Sequence, residues 1–155
     1  MNIDGVSYRS VWVDGEDGWS VRILDQTKLP WAVDILRLQT VAEAAHAIRS
    51  MQTRGAPLIG AVAAYGLCLG LREDAADAAM ERDAALLAET RPTAINLRWA
   101  LERMLSVLRG TAEPARVAAA YAEAGRIADE DAAMNAAIGR HGLELIQDIS
   151  RHKQG

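Results

Sequence analysis

Polar and apolar residues partly alternate at the start of the chain, which is typical of β-strands. Residues 6–13 and 19–24 contain Val, Tyr, Trp and Ile, and residues 14–18 between them are rich in Asp and Gly. This pattern predicts a β-hairpin. Residues 32–38 follow Pro30 and predict a third strand, so we expect a small antiparallel sheet.

From Thr40 onward the apolar positions recur every three or four residues, which predicts helices. Thr40 and Glu43 form a capping-box pattern, and the first helix is expected to end near Arg54-Gly55. Pro57 suits the first turn of a second helix, so we expect a tight corner at residues 54–56. The predicted buried face of the first helix consists of Val41, Ala44, Ala45, Ile48 and Met51.

Three glycines lie within the second predicted helix, at Gly60, Gly66 and Gly70. Each costs about 1 kcal/mol relative to alanine, so we expect another backbone to pack closely here in compensation. Three further helices are predicted at residues 73–88, 94–108 and 114–150. The first is expected to be exposed and the second deeply buried, and the third has candidate kinks at Gly139 and Gly142. The predicted fold class is α+β, with a small N-terminal antiparallel β-sheet followed by a mainly helical bundle.

Composition narrows the class of protein. The 155 residues carry a net charge of −4 with acidic and basic residues interspersed, so nucleic acid is not an expected partner. Cys68 is the single cysteine, which rules out an internal disulfide. The longest apolar stretch, residues 56–71, is too short to cross a bilayer, and the N-terminus lacks the order of a secretory signal. We therefore expect a cytoplasmic protein without a membrane partner.

Arg54 and Arg91 are the most informative candidates for chemistry, because each lies near a predicted helix start. A helix N-terminus presents unpaired N–H groups and a positive dipole end, and a guanidinium binds phosphate through paired hydrogen bonds. Two such corners would hold one phosphorylated small molecule. An arginine beside a turn is also commonly a solvated surface residue, and both interpretations stay open at this point.

Other candidates for chemistry are weaker. Cys68 lies inside an apolar helix, where a thiol is expected to be buried and inert. Asp131 and Asn135 are four residues apart on one helical face, which is usually a solvated face or a helix contact. Residues 26–30 form another candidate polar loop. The histidines are His46, His141 and His152. We assign none of them to a metal, because they lack companion ligands at the spacing that a metal site needs.

Four segments closely resemble the N-terminal part of the methylthioribose-1-phosphate isomerase family. They are DQTKLP at residues 25–30, MQTRGAPLIGA at 51–61, TRPTAINL at 90–97 and NAAIGRHG at 135–142. Their order and spacing match those of a superfamily that also holds ribose-1,5-bisphosphate isomerase and regulatory subunits of the exchange factor for translation initiation. The first two strings favour the methylthioribose enzyme.

The resemblance implies conversion of 5-methylthioribose 1-phosphate into 5-methylthioribulose 1-phosphate, an aldose-to-ketose isomerisation in methionine salvage that needs no cofactor. Carried over by motif, the residues that contact this phosphorylated sugar are Arg54, Gly55, Ala56 and Arg91. A homodimer is also implied. The alternatives are a ribose-1,5-bisphosphate isomerase and a non-catalytic regulatory subunit.

The chain departs from the family in one respect. The family places its catalytic cysteine and acid-base aspartate in a Rossmann-like C-terminal α/β domain, which is absent from these residues. We therefore expect residues 1–115 to be a β-sheet plus helical substrate-binding domain, and residues 116–155 to be a helical tract that leads toward the missing domain. Alone, the chain is expected to supply no catalytic residue and to be inactive. The chain is expected to be a fragment, one half that pairs with a separately encoded C-terminal half, or a regulatory module. Without a second domain the apolar residues of the last helical tract would be exposed, which favours the fragment. These residues are Ile138, Leu145, Ile146 and Ile149.

Overall fold

All the short strands lie in the N-terminal part of the chain and the helices follow them, which confirms the α+β fold class. The structure is a computed structural model and describes residues 2–3 and 5–153. The strands of this part are β1 (Asn2–Ile3), β2 (Val6–Ser7), β3 (Val11–Val13), β4 (Val21–Leu24) and β5 (Ile35–Leu38). The helices are α1 (Val41–Arg49), α2 (Ala56–Glu73), α3 (Asp77–Ala88), α4 (Ile95–Leu108) and α5 (Glu113–Lys153).

The predicted hairpin and third strand are confirmed as an antiparallel sheet in the order β3-β4-β5. The predicted extent of the first strand, residues 6–13, was wrong. Strand β2 pairs with β1 in a separate two-stranded sheet, and residues 8–10 lie between the two sheets. In this link the Arg9 side chain reaches helix α5, where it pairs with Asp129 at 2.6 Å.

Helix α1 begins at the predicted capping box. The Thr40 hydroxyl accepts a hydrogen bond from the Glu43 amide at 3.2 Å, and the Glu43 carboxylate accepts one from the Thr40 amide at 3.1 Å. The helix ends at Arg49, earlier than predicted. Met51 has a φ of 62° and is 45% exposed, so its assignment to the buried face was wrong.

Helix α2 lies at the centre of the molecule, with every residue from 59 to 71 buried against the other helices. A Cβ atom added to Gly60 would lie 2.7 Å from the backbone oxygen of Asn96 in α4, so the predicted close approach of a second backbone is confirmed there. At Gly66 and Gly70 the close neighbours are side chains of α1 and α3 instead.

Two burial predictions were wrong. Helix α3 is not simply exposed, because Met80 and Leu87 are fully buried. Helix α4 packs on α2 through one face only, so Ile95 is 82% exposed and Trp99 is 48% exposed despite their apolar side chains. Apolar content alone does not tell which face of a helix meets the core.

Helix α5 runs for 41 residues through Gly139 and Gly142, so neither glycine ends it. Its first half packs against α2 and α4 through buried residues that end at Ala128, whereas residues 132–153 are exposed or half-buried. The predicted division of the chain at residue 116 falls in the first turn of α5 and stays a prediction. Within the described residues, no helix is long and apolar enough to span a membrane.

We expect Gly60→Ala to destabilise the fold by about 1–3 kcal/mol, because the new methyl group would push α2 and α4 apart. Gly139→Ala is the matched control, since a Cβ there meets nothing within 4 Å. It should stabilise the exposed helix by up to about 1 kcal/mol. Urea unfolding of both variants checks this, and an equal effect of the two substitutions would contradict the close packing of α2 on α4.

Candidate functional site

The corner between α1 and α2 is open at the start of α2. Gly55 precedes the helix with a φ of 102°, a left-handed conformation that favours glycine. No side chain of the described residues caps this helix. Pro57 has no N–H, so the amides of Ala56 and Leu58 are the donors that the corner offers to a ligand.

Gln26 fixes Arg54 at this corner. The Arg54 amide donates to Gln26 Oε1 at 2.6 Å, and the Arg54 guanidinium donates to the Gln26 carbonyl oxygen. The Gln26 backbone amide in turn donates to the backbone carbonyl oxygen of Gln52 at 2.9 Å. The polar loop at residues 26–30 therefore shapes the site through its first residue.

A cleft of about 710 Å³ opens beside the corner. Arg54 and Gly55 form one wall, and Asp131 and Asn135 of helix α5 line the same cleft. Arg9 also lines it, and this guanidinium joins the β2–β3 link to α5 through Asp129 and through the Ala128 carbonyl oxygen at 3.2 Å. With Gln26, which also lines it, the cleft therefore combines four segments that are distant in sequence.

Asp131 and Asn135 were interpreted from the sequence as a solvated face or a helix contact, whereas the structure places them on the wall of this cleft. The Asn135 amide nitrogen donates to Asp131 Oδ1 and to the Asp131 carbonyl oxygen, both at 2.9 Å. Their spacing gave no hint of this location. The one available signal was that Asn135 begins the fourth family-like segment.

Arg91 does not line the cleft beside Arg54. It lies in the turn before α4, in a separate depression of about 230 Å³ that also contains Arg98. Helix α4 begins at Ile95, four residues after Arg91. Of the four predicted contact residues, Arg54 and Gly55 thus line the first cleft, whereas Ala56 does not line it and Arg91 lies in the separate depression.

A second cleft, of about 440 Å³, adjoins the first and is mainly apolar. The two clefts share Pro57 and Asp131. Ile95, Trp99 and Met134 line the second cleft, and their exposed side chains explain why α4 and α5 present an apolar surface here.

An ion network joins α4 to α5 beside the second cleft. Arg103 donates to Glu123 at 2.5 Å and to both oxygens of Glu130, and Arg126 also pairs with Glu123. Burial alone would raise the pKa of Glu123, but the hydrogen bonds from Arg126 and Arg103 outweigh burial and lower the pKa below its ordinary value.

Cys68 is buried and donates a hydrogen bond to the Ala64 carbonyl oxygen at 3.3 Å. Burial raises the pKa of its thiol far above the ordinary value. The predicted burial of Cys68 is thus confirmed, and its inertness stays a prediction. Among the described residues, no group of three His, Cys, Asp or Glu side chains is arranged to hold a metal ion.

The comparisons with known proteins now identify the class. Residues 52–151 match the initiation factor 2 subunit family, and this match covers more than half of the chain. The chain therefore belongs to the initiation factor 2 subunit family.

Individual relatives are more specific. The chain is 59% identical over 153 residues to methylthioribose-1-phosphate isomerase of Gluconobacter oxydans (strain 621H), with 99% of this chain and 42% of the relative covered. It is 60% identical over 147 residues to the enzyme of the same name from Acidiphilium cryptum (strain JF-5), with 95% and 40% covered. The chain thus spans about two fifths of the length of the curated relatives it matches, at their N-terminal part.

Two solved structures share the fold. The 5-methylthioribose 1-phosphate isomerase of Pyrococcus horikoshii OT3 is 34% identical with a TM-score of 0.71, over 79% of this chain and 36% of that chain. The delta subunit of translation initiation factor eIF-2B from A. fulgidus is 35% identical with a TM-score of 0.73, over 81% and 38%. The same architecture therefore occurs in an isomerase and in a translation factor subunit.

The lowered pKa of Glu123 predicts a pH-dependent contribution to stability. A carboxylate with a lowered pKa stabilises the fold above its unfolded-state pKa, and this contribution is lost as the pH falls through the folded-state pKa. We expect Glu123→Gln to cost about 1–3 kcal/mol at pH 7 and the gap to the wild type to close as the pH falls below 4.5. Unfolding by urea from pH 7 to pH 2 measures it. Arg126→Gln should give an intermediate dependence, and a gap that stays constant with pH would contradict this account.

The burial of Cys68 predicts that its thiol does not react with a disulfide reagent in the folded protein. One thiol per chain should titrate after denaturation, because unfolding exposes the side chain and returns its pKa toward the ordinary range. Colorimetric thiol titration with and without urea measures this. Rapid stoichiometric reaction in native buffer would contradict the buried position.

Proposed function

We propose that this chain is the substrate-binding part of a methylthioribose-1-phosphate isomerase, the enzyme that converts 5-methylthioribose 1-phosphate into 5-methylthioribulose 1-phosphate. The relatives of that name, at 59% and 60% identity, support this assignment. The observation that carries it is the uncapped start of α2, where Arg54 and Gly55 open onto a cleft of about 710 Å³. The proposed role of the corner is to bind the substrate phosphate.

The chemistry of the corner suits a phosphate dianion. The first amides of a helix have no partner within that helix, and the helix dipole favours negative charge at that end. The Arg54 guanidinium adds charge-assisted hydrogen bonds. One hydrogen bond from this guanidinium and one from the Arg54 backbone amide, both to Gln26, hold the residue at the cleft. Gly55 has no side chain, so a ligand can approach the backbone closely.

Arg91 is assigned to the substrate by its family-like motif. It occupies a depression separate from the Arg54 cleft. The motif alone therefore supports its inclusion in the proposed phosphate site. Loss of substrate affinity on Arg91→Gln would support its inclusion, whereas unchanged affinity would restrict the site to residues 54–56.

The catalytic groups are proposed to lie in a Rossmann-like C-terminal domain outside these residues. Cys68 does not supply the reactive thiol, because it is fully buried with a raised pKa. The relatives extend well beyond the matched region, which is consistent with such a domain. We place the whole protein in the cytoplasm, acting in methionine salvage as a homodimer.

The regulatory-subunit alternative has less support. Identity to the isomerases is 59–60%, against 35% to the eIF-2B delta structure. A ribose-1,5-bisphosphate isomerase would need a second phosphate clamp, and the cleft adjoining the Arg54 corner is mainly apolar. Both observations favour the methylthioribose substrate.

Ligand binding by the purified chain tests the proposal. The wild type should bind inorganic phosphate and bind 5-methylthioribose 1-phosphate more tightly. Arg54→Gln should lower both affinities about 10- to 100-fold, because it removes a charge-assisted contact worth about 1.5–3 kcal/mol. Isothermal titration calorimetry measures these affinities. Arg140→Gln, an exposed arginine on α5 that lines neither cleft, is the matched control.

Two outcomes would overturn the proposal. Wild-type affinity in Arg54→Gln would remove the corner as the phosphate site. Isomerisation of 5-methylthioribose 1-phosphate by the 155-residue chain alone would show that the catalytic groups do not lie outside it.

A further inference from the structure

Asp131 has an unusual position for a carboxylate on a long exposed helix. It lies on the wall that separates the two clefts and lines both of them. The residue is half-buried, whereas most of its neighbours on the following turns of α5 are exposed. The carboxylate therefore lines the space next to the Arg54–Gly55 corner.

Asn135 holds this carboxylate in one orientation. Its side-chain amide nitrogen donates hydrogen bonds to Asp131 Oδ1 and to the Asp131 backbone oxygen, at 2.9 Å each. Within residues 2–3 and 5–153, Asp131 Oδ2 receives no hydrogen bond. One oxygen is thus fixed by the helix and the other is available to a molecule in the cleft.

The turn of α5 just before Asp131 is anchored to the rest of the fold. Ile127 and Ala128, one turn before Asp131, are buried against the core. Arg9, in the link between β2 and β3, donates hydrogen bonds to the Ala128 carbonyl oxygen and to the Asp129 carboxylate. The position of Asp131 relative to the corner is therefore set by packing and by an ion pair.

We propose that Asp131, oriented by Asn135, binds a hydroxyl group of the sugar whose phosphate occupies the Arg54–Gly55 corner. This inference rests on the proposed function. A carboxylate oxygen accepts hydrogen bonds, and it repels a phosphate dianion. The group of a phosphosugar that suits it is a hydroxyl, which donates. Asp131 is then a substrate-binding residue that makes the site selective for a phosphosugar over free phosphate.

The test compares two ligands on three variants of the chain. Asp131→Asn keeps the size of the side chain but replaces the charged acceptor, so the affinity for 5-methylthioribose 1-phosphate should fall about 10- to 100-fold. The affinity for inorganic phosphate should change less than about threefold or rise slightly, because this probe has no sugar hydroxyl and a negative charge has been removed. Asn135→Ala should lower sugar phosphate affinity to a smaller extent, since Asp131 remains but is no longer held. Asp148→Asn, on an exposed turn of the same helix, is the matched control and should leave both affinities unchanged.

The outcomes separate this inference from the proposed function. If the wild type binds both ligands and Asp131→Asn binds the sugar phosphate equally well, the hydroxyl contact is wrong while the phosphate corner stands. Equal loss of both ligands in Asp131→Asn, with a helical content by circular dichroism equal to that of the wild type, would also overturn it. If the wild type binds neither ligand, the phosphate site fails and the hydroxyl contact fails with it.

Discussion

The close contact of α2 with α4 at Gly60 is the constraint on which the rest of the structure depends. Helix α2 is buried along most of its length, so every other helix must find a place against it. The missing Cβ at Gly60 lets the Asn96 backbone approach to a distance that alanine would not allow. This approach sets the separation of the two helix starts and hence the width of the apolar cleft that includes Pro57 and Ile95.

The candidate site follows from this arrangement. Because α2 is held rigidly in the core, its N-terminus is a fixed group of donors at the surface rather than a fraying helix end. The loop that carries Gln26 binds Arg54 from one side, and α5 presents Asp131 from the other. The same architecture in an isomerase and in a translation factor subunit shows that the fold alone does not determine the function. The proposed phosphate site therefore depends on the side chains placed around the corner and not on the fold alone.

Local signals in the sequence were reliable where a local interaction decides the structure. The capping box at Thr40, the hairpin turn and the helix start beside Pro57 each depend on neighbours within a few residues, and all three are present. Predictions failed where distant contacts decide. Residues 8–10 interrupt the predicted strand, and Arg9 within them pairs with Asp129 of α5. Ile95 is exposed because α4 has a single packed face.

The sequence by itself determined the buried second helix, the glycine corner before it and the buried Cys68, since each depends on residue type and short-range periodicity. The tertiary structure alone decided that Asp131 and Asn135 share a cleft with Arg54 and that Arg91 lies in a different one. The physical reason is sequence separation. Some 75 residues lie between the corner and Asp131, and only the packing of α5 onto α2 and α4 brings those two segments together.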